Sequence, residues 1–213
     1  MPSKTEKLLS LLDGQPVIPV IKIDDADNAV PLARALARGG LKVIEITLRT
    51  PSALESIRRA SAEVSEAVVG AGTILDAAQF DQAAKAGARF IVSPGVSGSV
   101  LAAAAGSEVP LLPGAITPGE IMTAREAGID FLKFFPAEQA GGAAFLKALA
   151  SPFAGIRFCP TGGVSQKNVR DYLSLPNVVC VGGSWVAPDE LVKAKDWAAI
   201  EALAKEASGL RAV

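Results

Sequence analysis

Short apolar runs alternate with amphipathic stretches along almost the whole chain. Apolar runs typical of buried strands occupy residues 16–21, 42–48, 68–71, 90–93, 111–112, 131–135, 156–159 and 178–181. Apolar residues at helical spacing predict helices over residues 26–38, 52–63, 76–86, 98–105, 117–126, 142–150, 165–173 and 196–206. Gly39, Gly87 and Gly128 follow three of these helices, as glycine commonly does at a helix C-terminus.

This alternation predicts an α/β fold. Strands that alternate with helices pair in parallel, and eight such units favour a closed (β/α)8 TIM barrel over an open, doubly wound sheet, which is the structural alternative. An additional helix is predicted at residues 4–12, so residues 1–14 are expected to form an N-terminal cap helix. No linker or low-complexity segment divides the chain. We therefore expect residues 1–213 to form a single TIM-barrel domain with an extra N-terminal helix.

Composition and charge exclude several classes of partner. The 213 residues are 50% apolar and include 21 basic and 22 acidic side chains, for a formal net charge of -1. This balance provides neither a basic surface for nucleic acid nor a polybasic patch for anionic lipid, so neither partner is expected. The chain begins with polar residues, and every apolar run is shorter than a membrane span, which predicts a cytoplasmic protein. Cys159 and Cys180 lie in apolar runs and are expected to be buried, reduced thiols.

The chain contains no histidine. This absence excludes Ser-His-Asp and Cys-His catalytic groups, and it excludes the usual imidazole ligands of zinc. General acid–base chemistry must therefore come from a carboxylate, lysine, tyrosine or thiol. We expect no metal and no cofactor.

Lys133 stands inside the aromatic and aliphatic run 131–136, an unusual position for a cation. Strand alternation places Phe131, Lys133 and Phe135 on one face. Phenyl rings solvate an ammonium poorly, so they favour the neutral amine, which attacks carbonyl carbons. Lys133 is therefore the leading catalytic candidate, although its side chain in an alternative interpretation extends past the strand to water or an acid. Lys22, just after the first strand, is a second possible nucleophile without aromatic neighbours.

Other polar candidates follow the predicted strands, at the end where barrel enzymes carry out their chemistry. Glu45 in the second strand is either a structural ion-pair partner of Lys133 or a carboxylate that accepts and returns a proton. Arg49, on the same face, presents a planar fork for a substrate carboxylate, to which Thr73 and Thr161 offer hydroxyl donors. The remaining substrate-binding candidates at strand ends are Pro94 and Phe135.

Paired glycines are predicted in the turns after the last two strands. Gly162 and Gly163 follow the seventh strand, and Gly183 with Ser184 follows the eighth. Glycine turns let backbone N–H groups crowd around an anion, and a following helix N-terminus adds a favourable dipole. These two turns predict a phosphate site, although paired glycines also serve simply to make tight turns.

Taken together, the strand ends resemble the KDPG/KHG aldolase family, which cleaves 2-dehydro-3-deoxy-6-phosphogluconate (KDPG) and 4-hydroxy-2-oxoglutarate (KHG). The resemblance covers nearly the whole chain and rests on segments 19–21, 45–50, 69–73, 93–95, 131–138, 158–163 and 182–185. It implies a metal-free, homotrimeric class I aldolase in which Lys133 forms the Schiff base and Glu45 is the general acid/base. It also implies that Arg49 and Thr73 hold the pyruvate carboxylate, with Thr161 nearby. The phosphate is implied near Gly162, Gly163, Gly183 and Ser184.

The resemblance implies a phosphorylated 2-keto acid as the substrate. KDPG would be cleaved to pyruvate and D-glyceraldehyde 3-phosphate in the Entner–Doudoroff pathway, and KHG to pyruvate and glyoxylate. Arg49 favours the gluconate substrate over the phosphogalactonate analogue, because the related phosphogalactonate aldolases tend to have another residue there. Two other classes are possible: a non-catalytic phosphosugar-binding barrel, and a barrel isomerase that uses a carboxylate base without a covalent lysine.

Overall fold

The fold alternates strands and helices in the predicted order. The computed structural model describes residues 3–210. The strands are β1 (Val17–Ile21), β2 (Val43–Thr47), β3 (Val68–Gly72), β4 (Ile91–Val92), β5 (Leu111–Leu112), β6 (Phe131–Phe134), β7 (Arg157–Pro160) and β8 (Val181–Gly183). The helices are α1 (Lys4–Leu11), α2 (Ala29–Arg38), α3 (Ala53–Glu63), α4 (Ala77–Lys85), α5 (Gly98–Ala105), α6 (Pro118–Glu126), α7 (Gly142–Leu149), α8 (Val169–Leu173), α9 (Asp189–Ala194) and α10 (Trp197–Ser208).

Local sequence signals determine several helix starts. Ser3 and Glu6 form a capping box at α1, and Thr117 and Glu120 form another at α6. Pro118 occupies the first turn of α6, where its missing N–H leaves no helical hydrogen bond unmade. These caps explain why the predicted helix bounds here differ from the observed ones by only a residue or so.

All strand pairs are parallel. Six strands form one curled sheet in the order β5-β4-β3-β2-β1-β8, and β6 pairs with β7 in a second sheet. Single backbone bridges connect the two sheets at both edges: Gly114 with Lys133 between β5 and β6, and Thr161 with Gly182 between β7 and β8. The prediction of an α/β fold with parallel strands is confirmed. Within residues 3–210, no helix is long and apolar enough to cross a membrane.

The strands separate two apolar clusters. The outer cluster lies between the strands and the helices and includes Ile44, Ile46 and Leu132. The inner cluster consists of buried residues on the opposite strand faces together with two residues from α1 and its end: Leu8, Leu12, Ile18, Val43, Phe90, Val92, Leu112, Phe131, Cys159 and Cys180. Because side chains alternate along a strand, Glu45 and Lys133 lie two residues beyond Val43 and Phe131 on the inner side. The inner side is therefore apolar near the strand starts and polar near their ends.

Two predicted elements need correction near the C-terminal end of the chain, and one helix there was not predicted. The eighth strand is Val181–Gly183 rather than residues 178–181, so Gly183 lies in the strand and not in a turn. The helix predicted at residues 165–173 is shorter, Val169–Leu173, and begins six residues after Gly163 rather than two. The sequence pattern also missed α9, Asp189–Ala194. Residues 1 and 2 of the predicted cap helix lie outside the described residues.

Candidate active site

Lys133 and Glu45 form a buried ion pair at the centre of the candidate site. Lys133 Nζ lies 3.2 Å from Glu45 Oε1, and the two side chains are 7% and 5% exposed. Lys133 is in β6 and Glu45 is in β2, so strands from the two sheets supply one partner each. A buried charge that lost its partner would be costly, so each group holds the other in place. The same short distance lets a proton pass between amine and carboxylate.

The surroundings of this pair are closely packed. The Phe135 ring lies 5.3 Å from Lys133 Nζ, so one of the two predicted aromatic neighbours has a cation–π arrangement with the ammonium. A Cβ atom on Gly72 would stand 2.0 Å from Glu45 Oε1, so only glycine at this position leaves room for the carboxylate. The next residue, Thr73, has φ of 62°, a conformation that is strained for a β-branched residue. Thr73 directly follows β3, whose last residue is Gly72.

Arg49 is attached to the end of β2 by a chain of side-chain hydrogen bonds. Its Nε donates to Thr47 Oγ1 at 2.9 Å, and Thr47 Oγ1 donates to the Ile21 carbonyl at 2.8 Å. Arg49 from the predicted carboxylate site and Ser184 from the predicted phosphate site line one cleft of about 360 Å³. Lys133 and Glu45 are not among its lining residues. Lys22 lines the same cleft, but its Nζ pairs with Asp24 at 2.9 Å.

Thr161 and Pro94 occupy the remaining strand ends. Thr161 Oγ1 lies near Cys159 Sγ, at 4.0 Å, and donates to the Cys159 carbonyl at 3.4 Å. A Cβ on Gly182 would approach Thr161 Oγ1 to 2.3 Å, so the neighbouring strand needs glycine here. The hydrogen bond that the Cys180 thiol makes to Cys159, followed by burial, raises the pKa of Cys180. The buried thiol therefore stays protonated, as expected for a packing residue.

The glycine turn after β7 is tightly held. Gly162 and Gly163 have φ of 95° and 77°, which side-chain-bearing residues rarely adopt. Among the described residues, their N–H groups and that of Val164 donate to no backbone or side-chain acceptor. A Cβ on Gly162 would lie 3.1 Å from Phe135, so the turn packs directly beside the ring that covers Lys133. Free N–H groups in such a turn suit an anion, although α8 is too short and too distant to add a helix dipole.

A larger cleft lies at the opposite ends of the strands. It has a volume of about 660 Å³ and is lined by residues that include Leu12, Arg157 and Leu210. None of the predicted site residues lines it. The smaller cleft, which Arg49 and Ser184 line at the carboxyl ends of the strands, is therefore the better candidate.

Comparison with known proteins decides the family. A model of the KDPG and KHG aldolases matches residues 9–203. The chain belongs to the KDPG and KHG aldolase family. A curated relative from Pseudomonas aeruginosa, a 2-dehydro-3-deoxy-phosphogluconate aldolase, is 50% identical over 204 residues, which cover 96% of this chain and 93% of that protein. The resemblance drawn from the strand ends is thereby confirmed.

Two solved KDPG aldolases have nearly the same fold. The crystal structure from Legionella pneumophila, with pyruvate captured at low pH as a covalent carbinolamine, superposes with a TM-score of 0.92 at 44% identity and covers 94% of this chain and 97% of that one. The structure from Zymomonas mobilis ZM4 with 3-phosphoglycerate also gives a TM-score of 0.92, at 47% identity, and covers 98% of both chains.

Within this family fold, the structure brings most of the predicted site residues to the carboxyl ends of the strands. Lys133 Nζ contacts both Glu45 and the Phe135 ring, and Arg49 and Ser184 share a cleft. Two further residues beside the site, Glu138 and Tyr172, were not among the predicted site residues. They are 34 residues apart, and the Tyr172 hydroxyl donates to Glu138 Oε1. No spacing rule connects a loop after one strand with a helix after the next.

Proposed function

We propose that this chain is a class I aldolase that cleaves KDPG to pyruvate and D-glyceraldehyde 3-phosphate through an imine on Lys133. The observation that carries this proposal is the buried Lys133–Glu45 pair, with 3.2 Å between amine nitrogen and carboxylate oxygen, in a member of an aldolase family. A lysine that must be neutral to attack a ketone needs a nearby base to take its proton, and Glu45 is placed to do so.

The first half of the reaction forms the imine. Glu45 accepts a proton from the Lys133 ammonium, and the free amine adds to the C2 ketone of the substrate to give a carbinolamine. Glu45 returns its proton to the carbinolamine hydroxyl, which leaves as water. The product is a positively charged imine that accepts electrons from the neighbouring carbon–carbon bond.

The second half breaks the C3–C4 bond. Glu45, again a carboxylate, removes the proton from the C4 hydroxyl, the bonding electrons move to the imine, and the aldehyde leaves. The resulting enamine receives that proton at C3, and water then hydrolyses the imine to release pyruvate and Lys133. One carboxylate in reach of the amine serves every proton transfer.

Residues around this pair hold the two ends of the substrate. Arg49, fixed by Thr47, binds the carboxylate of the keto acid together with the hydroxyls of Thr73 and Thr161. Pro94 and Phe135 pack against the carbon chain of the substrate. The phosphate binds to the free N–H groups of Gly162 and Gly163 and to Gly183 and Ser184. These assignments rest on the positions of the residues at the strand ends and on their chemistry.

We further propose that residues 1–213 form one closed (β/α)8 barrel with α1 across its amino end. The backbone bridges at both edges of the two sheets support closure, and so does the inner cluster that Leu8 and Leu12 join. We propose a cytoplasmic homotrimer acting in the Entner–Doudoroff pathway, as the family resemblance implies. Light scattering tests the trimer, which should have three times the 21.8 kDa of one chain.

Trapping with pyruvate and borohydride tests the imine. Reduction of the imine should attach pyruvate to one lysine, and peptide mapping should locate the adduct at Lys133. Lys133→Arg should abolish the adduct, whereas Lys22→Ala, which removes the lysine paired with Asp24 at the same cleft, should retain it. A folded wild-type protein without an adduct, or with the adduct at Lys22, would refute the mechanism and favour a sensor or isomerase.

Coupled assays identify the substrate. Pyruvate release is followed with lactate dehydrogenase for KDPG, its phosphogalactonate epimer and KHG. We expect the highest kcat/KM with KDPG, because Arg49 favours the gluconate series and the glycine turn favours a phosphate. A preference for the galactonate epimer would reassign the substrate without changing the chemistry.

A further inference from the structure

Glu138 and Tyr172 form a hydrogen-bonded pair behind the glycine turn that follows β7. Glu138 lies in the loop after β6, and its carboxylate accepts a hydrogen bond from the hydroxyl of Tyr172 on α8. Tyr172 is buried, with 1% of its surface exposed, and is the only tyrosine in the chain. Burial, followed by the adjacent Glu138 carboxylate, raises the pKa of Tyr172, so its hydroxyl stays a donor over the whole physiological range.

The Glu138 backbone and side-chain stem contact the turn directly. Glu138 N–H donates to the Gly162 carbonyl at 3.1 Å, and the preceding Ala137 N–H donates to the Thr161 carbonyl at 2.8 Å. A Cβ on Gly163 would stand 2.5 Å from Glu138 Cγ, so the glutamate stem packs against the bare glycine backbone. Glu138 therefore contacts both glycines of the turn, Gly162 through its backbone N–H and Gly163 through its side-chain stem.

A second contact holds the other side of the turn. Asn168 Nδ2 donates to the Gly163 carbonyl at 3.1 Å, and Asn168 Oδ1 accepts from Ser165 N–H at 2.8 Å. The Gly162 and Gly163 carbonyls thus both accept hydrogen bonds from the protein, whereas the N–H groups of the two glycines are available to a ligand. The stem of the Glu138 side chain packs against Gly163, and the end of the same side chain is bonded to Tyr172.

The same hydrogen bond controls a negative charge. Glu138 is an acid next to a turn that would bind an anion, and an unrestrained carboxylate there would repel a phosphate. The Tyr172 hydroxyl holds the Glu138 carboxylate near α8 by donating a hydrogen bond to its Oε1 atom. Loss of the hydroxyl would both loosen the turn and release this charge.

We propose that Glu138 and Tyr172 are a positioning pair that holds the Gly162–Gly163 turn for a phosphate and so sets the preference for phosphorylated over unphosphorylated 2-keto acids. This inference rests on the proposed function. It adds two residues that touch neither the reacting atoms nor the keto acid, and it assigns them to one end of the substrate only.

The test compares a phosphorylated and an unphosphorylated substrate in matched variants. Tyr172→Phe removes the donor, Glu138→Ala removes the acceptor, and Glu138→Gln keeps an acceptor oxygen without the charge. Tyr172→Phe and Glu138→Ala should raise KM for KDPG about tenfold, the usual scale for one hydrogen bond to a charged group. The KM for KHG and both kcat values should stay within about twofold. Glu138→Gln should restore most of the affinity.

Two controls separate positioning from general damage. The double variant should resemble Glu138→Ala, because without the carboxylate the Tyr172 hydroxyl has no hydrogen bond left to lose. Asp171→Asn, which removes a neighbouring acid on α8 that contacts neither glycine, should leave both KM values unchanged. Absorbance titration at the tyrosinate band reports Tyr172 alone, and its midpoint should fall in Glu138→Ala. If Tyr172→Phe does not fold, Glu138→Ala against Glu138→Gln still decides: equal KM values for KDPG in these two variants overturn the positioning pair.

The outcomes distinguish this inference from the proposed function. A wild-type protein that cleaves KDPG and traps pyruvate, with variants whose KM changes equally for both substrates or for neither, refutes the positioning pair alone. A wild-type protein that neither cleaves KDPG nor traps pyruvate refutes the proposed function. In that case calorimetry with 3-phosphoglycerate still decides the pair: Tyr172→Phe should weaken its binding about tenfold, and unchanged binding overturns the inference.

Discussion

Glu45→Gln isolates proton transfer from substrate binding in this site. The amide has almost the shape of the carboxylate and therefore fits beside Gly72, where a single extra carbon would come within 2.0 Å of Oε1. It cannot take the proton of Lys133 or that of the C4 hydroxyl. Among the described residues, Arg49 and Thr47 make no hydrogen bond to Glu45, so we expect the Arg49–Thr47 contact, the proposed carboxylate site, to be unchanged.

The expected loss follows from the role of a general base. Positioned acid–base groups contribute about 10²–10⁴ in rate, so kcat for KDPG should fall by that factor, which corresponds to about 3–5 kcal/mol in the barrier. Removal of one member of a buried ion pair also lowers the free energy of unfolding by about 3–5 kcal/mol. The kinetic assay must therefore be run well below the melting temperature of the variant.

The assay measures pyruvate formation from KDPG and, separately, the pyruvate concentration that half-saturates borohydride trapping. We expect the trapping rate to fall and the half-saturating concentration to stay within about threefold, because binding and proton transfer use different residues. Glu126→Gln, at the exposed end of α6, is the matched control and should behave as wild type. A kcat within threefold of wild type, or equal losses in kcat and pyruvate affinity, would refute the proton-shuttle role of Glu45.

Three further predictions concern the same region. Gly72→Ala should lower kcat at least about tenfold in a folded protein, because the methyl group displaces the Glu45 carboxylate; wild-type kinetics would contradict the close approach. Thr73→Gly should relieve the positive φ and raise the free energy of unfolding in urea by about 1 kcal/mol, while KM for KDPG rises about tenfold; a less stable variant would argue against strain. Tyr172 has a raised pKa in the folded protein, so the unfolded chain loses this proton first. Its contribution to stability is complete below about pH 10 and falls by at most about 1.4 kcal/mol per pH unit above it, in wild type but not in Tyr172→Phe, as measured by urea unfolding.

Strand alternation was enough to predict the centre of the site. Alternation placed Glu45 and Lys133 on the same strand faces as Val43 and Phe131, and the pairing of two buried charges was one of the predicted arrangements; the observed ion pair confirms it. The glycine turn after β7 was predicted from its sequence, and its role in binding phosphate stays a prediction. Glu45 and Lys133 are 88 residues apart, and the predicted fold class alone suggested that they could pair.

The eighth strand was misplaced because hydrophobicity does not reveal which neighbour a strand joins. Residues 178–181 form a continuous apolar run, yet Val178 and Val179 are connected to Phe158 of β7, and the ladder with β1 starts only at Val181. Register between parallel strands depends on packing across the whole sheet, and a single segment contains no record of it.

Conformation and long-range polar contacts could not be predicted either. The positive φ of Thr73 contradicts its intrinsic preference and exists only because the surrounding strands impose it. The contact of Glu138 with Tyr172 depends on how α8 packs against the loop after β6. The sequence around Glu138 is that of an ordinary loop, and the sequence around Tyr172 is that of an ordinary helix.

The inner cluster closes the interior of the fold at the strand starts, on the side opposite the candidate site. Leu8 and Leu12 from the N-terminal segment complete the apolar packing at the strand starts, beneath Lys133 and Glu45. Among the described residues this packing fills the interior at the strand starts, so we expect substrate and products to pass through the carboxyl ends of the strands. In the proposed mechanism the C3–C4 bond breaks while pyruvate is still bound to Lys133, so the aldehyde leaves first. The water that releases pyruvate then follows by the same route.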